Sequence, residues 1–304
     1  KAGSLPATGS VSVTVAGTGG SLSTSAAIDA ATGAFTATVD PSGLSASASG
    51  YEISLSYAQT ANFGAASDNS LKLYIDQVTP TVEVTWAGGP YTGSGYDATA
   101  AVKAGGTLVS GVYATLTFYA GSSAAGAPLA GVPTDAGTYT VRASFAGNTN
   151  YAAASTDKTI TITKASSSVA VSCPATDQTY TGAAQTPCTA TATGAGGLSA
   201  SLTPTYTNNV NVGTATASAS FDGDANHDGS TGSGSFEIAK AASSVAVSCP
   251  STPLTYTGSA QTPCTAAATG AGGLNQALTP SYTNNVDVGT ASVSATFAGD
   301  ANHT

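Results

Sequence analysis

Charge is scarce in this 304-residue chain: 8% of its residues are Asp, Glu, Lys or Arg, against roughly 25% in an ordinary domain. Seven basic residues against sixteen acidic ones leave a net charge of −9 and a pI near 4.2. So few cations cannot build a phosphate-binding stripe, which excludes nucleic acid as a partner. Long apolar runs are missing as well. No stretch approaches ~18 consecutive apolar residues, so no membrane span is expected. The two histidines leave little material for acid–base chemistry, and no enzyme is expected. Methionine is absent, as expected of a processed form or a piece of a longer chain. One Trp and seven Phe point to thin cores of small residues. Low net charge argues for a folded chain all the same.

What the chain does have is four cysteines in two pairs of identical spacing, Cys173/Cys188 and Cys249/Cys264. No CxxC occurs and no His lies beside them, so zinc is not expected. Two disulfides, each within one repeat, are the economical reading, against four reduced buried thiols. Disulfides imply an oxidising compartment, hence a secreted or cell-surface protein.

A fixed period runs through the chain. Cys173 and Cys249 differ by 76 in number, and so do Tyr180 and Tyr256, Tyr206 and Tyr282, Phe221 and Phe297, and His227 and His303. Gly137, Phe145, Gly147 and Lys164 precede their counterparts by the same interval. A shared ending marks four copies: an aromatic, then an Asn at a fixed distance, then an aromatic or His. It reads Tyr57/Asn62/Phe63, Phe145/Asn150/Tyr151, Phe221/Asn226/His227 and Phe297/Asn302/His303. Boundaries follow near Gln77, Lys164 and Lys240.

Inside each copy the apolar period is two. Val82-x-Val84-x-Trp86, Val169-x-Val171-x-Cys173, Val245-x-Val247-x-Cys249 and Phe236-x-Ile238 read as half-buried strands between Gly-, Pro- and Asn-rich turns. The prediction is all-β, in small sandwiches or a similar unit, with essentially no helix. Trp86 takes the inward position that the cysteines take elsewhere, and its bulk is expected to replace the cross-link. A unit this poor in large side chains is marginal alone, and closing a loop of this size with a disulfide adds about 3 kcal/mol in the chain-entropy model.

The stretches 135–151 (DAGTYTVRASFAGNTNY) and 254–273 (LTYTGSAQTPCTAAATGAGG), followed by NVDVGTASVSATFAGDANH, resemble bacterial immunoglobulin-like tandem repeats of the Tyr-x-Gly (MBG) type, found in surface and adhesin proteins. The resemblance implies tandem Ig-like sandwiches, with a β-grasp-like unit as the alternative topology. The expected division is 1–77, an incomplete unit; 78–164, without a disulfide; 165–240, with one; and 241–304, with one but lacking its final strand, which the period would place up to about 316. The implied function is structural: a secreted or cell-surface stalk, fibre or matrix component, assembling into filaments by strand exchange where a unit is incomplete. The alternative is an adhesin or carbohydrate-binding module. The partners expected are further copies of the chain, with surface glycans as the second class. The resemblance brings no catalytic residues.

Four motifs carry candidate chemistry. Asp224-x-Asn226-x-Asp228-Gly229, with Asp222 beside it, matches the opening of a calcium loop. Ser235 stands where a bidentate Glu is needed, so these four residues form a weak calcium candidate, calcium being the one cofactor considered, beside the plainer reading of a polar turn. Leu5-Pro6-Ala7-Thr8-Gly9 matches a cell-wall sorting pentapeptide but precedes a strand. Lys164 and Lys240 read as linker residues, and His227 and His303 as turn residues without a nucleophile nearby. Tyr180/Tyr256 and Tyr206/Tyr282 are expected in the core.

Overall fold

The structure is a computed structural model and describes residues 8–304. The chain is all-β: several small sheets form tandem β units, and no α-helix occurs among the described residues. Among the described residues three single 3₁₀ turns interrupt the strands, at Pro41–Gly43, Ala195–Gly197 and Ala271–Gly273.

In the first repeat β1 (Ser10–Gly17), β2 (Gly20–Ala27), β3 (Ser47–Tyr57) and β4 (Ala66–Ile75) make one antiparallel sheet in the order β2-β1-β3-β4. Alternation buries Val11, Val13 and Val15 on one face. The second repeat contains β5 (Thr81–Thr85), β6 (Gly89–Pro90), β7 (Thr99–Ala104), β8 (Thr107–Leu108), β9 (Thr115–Ala120), β10 (Gly137–Phe145) and β11 (Ala154–Thr163). They form two sheets, β5-β7-β8 and β6-β11-β10-β9. Val82 and Val102 of the first meet Ala143 and Phe145 of the second in one core. Trp86 is buried here, edge-on to Phe118 with centroids 5.5 Å apart, and its indole N–H donates to Tyr96 O at 2.6 Å.

The third repeat repeats the plan with β12 (Ser167–Ser172), β13 (Gln178–Thr179), β14 (Thr189–Gly194), β15 (Leu198–Leu202), β16 (Thr205–Thr207), β17 (Gly213–Phe221) and β18 (Ser230–Ala239). Sheets β12-β14-β15 and β13-β18-β17-β16 face each other. Two facing sheets are a sandwich, not the β-grasp alternative. Its core is built from Ala190, Ala192, Ala215, Ala217 and Ala219, closed at one end by Phe236 and Ile238. Small residues on facing strands let the sheets approach closely, which is how so few large side chains fill the interior.

The disulfide follows from register. Ser172 pairs with Thr189 across the antiparallel β12–β14 ladder, so the next residues outward, Cys173 and Cys188, face each other and are bonded. Ser248 and Thr265 place Cys249 and Cys264 in the same way. The phenol of Tyr206 locks this corner: the Cys188 N–H donates to Tyr206 Oη at 3.0 Å, and the Tyr206 O–H donates to Cys188 O at 3.0 Å. Tyr282 does the same to Cys264.

The fourth repeat comprises β19 (Ser243–Ser248), β20 (Thr265–Gly270), β21 (Leu274–Leu278), β22 (Ser281–Thr283) and β23 (Ser292–Ser294). Sheet β19-β20-β21 is intact, while the second sheet is reduced to β22-β23. No described strand takes the place of β18 there. The described residues cluster into two compact units. One runs up to Gly89 and adds Gly95–Pro133 and Gly137–Ile162; the other contains Pro90–Ser94, Thr134–Ala136 and Thr163–Thr304. Two short tips of the second repeat thus belong with the unit that holds the third and fourth.

Candidate functional site

Within the second unit one constellation occurs twice, at the turn before each histidine. Its foundation is local: Asp224 Oδ1 accepts the N–H groups of Asn226 at 2.8 Å and His227 at 2.7 Å, an Asx turn. That turn positions the half-buried Asn226 so that both its side-chain amide atoms and its backbone carbonyl find partners. Asn226 Oδ1 accepts the Ala136 N–H at 2.8 Å, Nδ2 donates to Asp135 Oδ1 at 3.1 Å, and Asn226 O accepts the Ala165 N–H at 2.9 Å. Asn302 repeats the set one period later: it accepts the Val212 N–H at 3.0 Å, donates to Asn211 Oδ1 at 3.3 Å and accepts the Ala241 N–H at 2.9 Å.

The histidines are buried parts of this clasp. His227 Nδ1 meets Asp224 Oδ1 at 2.9 Å and Nε2 meets Ala195 O at 2.9 Å. Tyr91 stands edge-on to the ring with centroids 5.2 Å apart. His303 holds the same relation to Asp300, Ala271 and Tyr180. Close approach of the tips needs glycine. Gly196 has φ 64°, and a Cβ there would stand 2.6 Å from the Tyr91 ring; a Cβ on Gly93 would meet Gly196 Cα at 2.6 Å. The Lys164 ammonium caps the turn by donating to Asp224 O at 2.5 Å, and Lys240 reaches Asp300 O.

Both ring nitrogens of His227 face acceptors, a carboxylate and a carbonyl, and only the doubly protonated ring can donate to both. The bond to the Ala195 carbonyl raises the His227 pKa above its ordinary value against the opposing effect of burial, and Asp224 adds to the rise. Burial works against ionisation of Asp224, but the Asn226 N–H, the imidazole and the His227 N–H outweigh it and hold the carboxyl below its ordinary value. The pair is half-buried, with the His227 side chain 5% and the Asp224 side chain 43% exposed, and removing Asp224 would leave the buried ring without its carboxylate partner.

The first unit contains a plainer version. Asn148 Oδ1 accepts the N–H groups of Asn150 and Tyr151, both at 3.0 Å. Asn150 Oδ1 accepts the Ala46 N–H at 2.9 Å, and Asn150 O accepts the Val78 N–H at 3.0 Å. Tyr151 replaces the histidine, and Gln77, replacing the lysine, donates to Asn148 O at 2.7 Å. The Asn of the repeat ending is therefore the common acceptor at all three repeat boundaries.

The sequence placed Asn150, Asn226 and Asn302 in register and set Lys164 and Lys240 at junctions, but missed the histidine clasp. Its signal was that Tyr91/Tyr180 and His227/His303 each recur, the tyrosines 89 residues apart and the histidines 76. Of the calcium candidates, the Asp224 carboxylate and the Asn226 side chain are engaged as described. Asp228 contributes its backbone, donating to Ala165 O at 2.8 Å and accepting from Ser167 Oγ at 2.7 Å. Asp222 is exposed. Among the described residues no group of three or more His, Cys, Asp or Glu side chains could hold a metal ion. Tyr206 and Tyr282 lie against their disulfide corners and Tyr180 packs against the core of the third repeat while its ring also meets His303, whereas Tyr256 is exposed. The pentapeptide Leu5–Gly9 lies, as far as Ala7, outside the described residues.

No protein-family model matches the chain, and no curated protein matches it. Among solved structures it is similar to the crystal structure of a tetra-tandem repeat in the extending region of a large adhesion protein, at 18% identity and a TM-score of 0.35, over 98% of this chain and 82% of that one. A likeness at that TM-score fixes neither geometry nor role.

Proposed function

We propose that the chain is a tandem-repeat spacer of a secreted or cell-surface protein, a stretch of stalk, fibre or matrix divided at 77/78, 164/165 and 240/241. One observation carries this reading: the same Asn-centred clasp recurs at every boundary, with the backbone N–H of Ala46, Ala136 or Val212 on the Asn side chain. A repeated joint sets a repeated spacing, so length grows with copy number while each repeat contacts its neighbours in sequence. The two disulfides support an exported location. Self-association of copies is the assembly mode we attach to it.

Small-angle scattering on chains with two, four and eight copies of residues 165–240 tests the reading. A maximum dimension that rises linearly with copy number is expected. Collapse to a compact particle would contradict it, and selective glycan-array binding by the four-repeat chain would favour the adhesin alternative.

A further inference from the structure

Both arms of the joint between the third and fourth repeats spring from the Cys173–Cys188 corner. The first arm is the loop that the disulfide closes, with its tip at 180–182. From that tip the Tyr180 ring stands edge-on to His303, with centroids 5.3 Å apart. A Cβ on Gly182 would fall 2.2 Å from Gly272 Cα, so the two backbones touch. The second arm begins at Tyr206, whose phenol both accepts from and donates to the Cys188 backbone. Just beyond it the Val212 N–H donates to Asn302 Oδ1 at 3.0 Å, and Asn302 Nδ2 donates to Asn211 Oδ1 at 3.3 Å.

The arms are also tied to each other. The Gln185 N–H donates to Asn209 O and Asn209 Nδ2 donates to Gln185 O, both at 2.9 Å. Gln185 Nε2 donates to Thr179 O at 3.1 Å and so closes the base of the tip. Away from the corner, the first arm is held to β18 by the two-residue strand β13 and by the Tyr180 N–H on Ala239 O. A loop closed at its base loses fewer conformations on docking than an open one of equal length. The second repeat secures its tip without sulfur, through buried Trp86 and its indole N–H on Tyr96 O. Of the two histidine clasps, only the one made by His303 therefore depends on oxidation.

We propose that oxidation of Cys173 and Cys188 sets this joint, so that the chain is hinged between its third and fourth repeats as a dithiol and stiff there as a disulfide. The two thiols give up two electrons and two protons as the S–S bond forms, and a disulfide oxidant takes them and becomes a dithiol. Closing the loop fixes the corner that carries both arms, and the clasp on Asn302 and His303 closes with it. The inference rests on the exported spacer proposed above and adds that the rod stiffens there on reaching an oxidising compartment. Scattering from oxidised chains of repeated copies tests the spacing separately, so the two can fail independently.

The test compares amide exchange in the oxidised full chain and in the Cys173→Ser/Cys188→Ser chain. Without the disulfide the Val212 amide should exchange at least about tenfold faster, and by a larger factor than the amides of β17, which report the stability of the repeat itself. The Ala136 amide, whose clasp the disulfide does not brace, should accelerate no more than β17. If the serine variant does not fold, oxidised Tyr206→Phe decides, because it frees the second arm alone: Val212 should again outpace β17. Equal acceleration at Val212 and β17 overturns the proposal, since lost repeat stability alone gives that result. An unchanged Val212 overturns it as well.

Discussion

The third and fourth repeats have nearly the same sequence over their shared length, and they differ in one strand. Where β18 is present, β17 spans Gly213–Phe221 and β13 forms at Gln178–Thr179. Where no such strand lies alongside, only Ser292–Ser294 of the corresponding stretch remains a strand. Ala215 is fully buried and its counterpart Ala291 is exposed. The cysteine corner, the Tyr282 lock and the sheet β19-β20-β21 persist regardless. The third and fourth repeats therefore share a self-sufficient half, built by the hairpins and the disulfide, beside a half whose ladder forms fully only with a strand on its far side.

The largest expected effect comes from making the third repeat resemble the fourth. Phe236→Ala removes the ring that closes the core and should cost about 3–5 kcal/mol, read by urea unfolding of the full chain with exchange at Val169 as the local reporter. The same loss with Val169 still protected would show that β18 is not what covers that wall. Next, Cys173→Ser with Cys188→Ser should destabilise the third repeat by about 3 kcal/mol in the chain-entropy model. Reduction should leave the second repeat, with Trp86 in the corner, unchanged by differential exchange. Tyr206→Phe and Tyr282→Phe should each cost about 1–3 kcal/mol, since each leaves a cysteine N–H and carbonyl without their shared phenol. A similar cost in both repeats would confirm that the corner is independent of β18.

The smallest expected effect is a pH dependence. The His227 contribution is fully present below the ordinary histidine value near 6.5 and is lost as pH rises through its raised folded value. The Asp224 contribution is present above the ordinary carboxylate value near 3.8 and is lost as pH falls through its depressed folded value. The clasp should therefore be firmest between those ordinary values and loosen on either side. Exchange at the Ala136 amide against pH measures it. The Asn148/Tyr151 version in the first unit lacks an ionisable Asp–His pair, so the Ala46 amide should show no such window.

Much of this was legible before any coordinates. Strand alternation fixed which of Val169, Val171 and Cys173 face inward, and the repeat register aligned every clasp residue with its counterpart. The clasp itself was not legible, because its members are distant in sequence. Tyr91 belongs to the second repeat and His227 to the end of the third, and nothing local to an Asp-x-Asn-His turn says which ring will stack on it. A histidine without a nucleophile looks idle until the Ala195 carbonyl is seen on its far nitrogen. The single sheet of the first repeat was also hidden, since alternating valines at 11, 13 and 15 suit one sheet or two equally well.

Amide hydrogen exchange at four homologous positions tests the central claim most directly. Ala46, Ala136 and Val212 donate to an Asn side chain across a boundary, while Val288, at the same phase, lies exposed. The first three amides should exchange at least about tenfold more slowly than Val288, and Asn226→Ala should release Ala136 alone, because opening a hydrogen-bonded joint must precede exchange. Four equal rates would contradict a clasp that joins successive repeats.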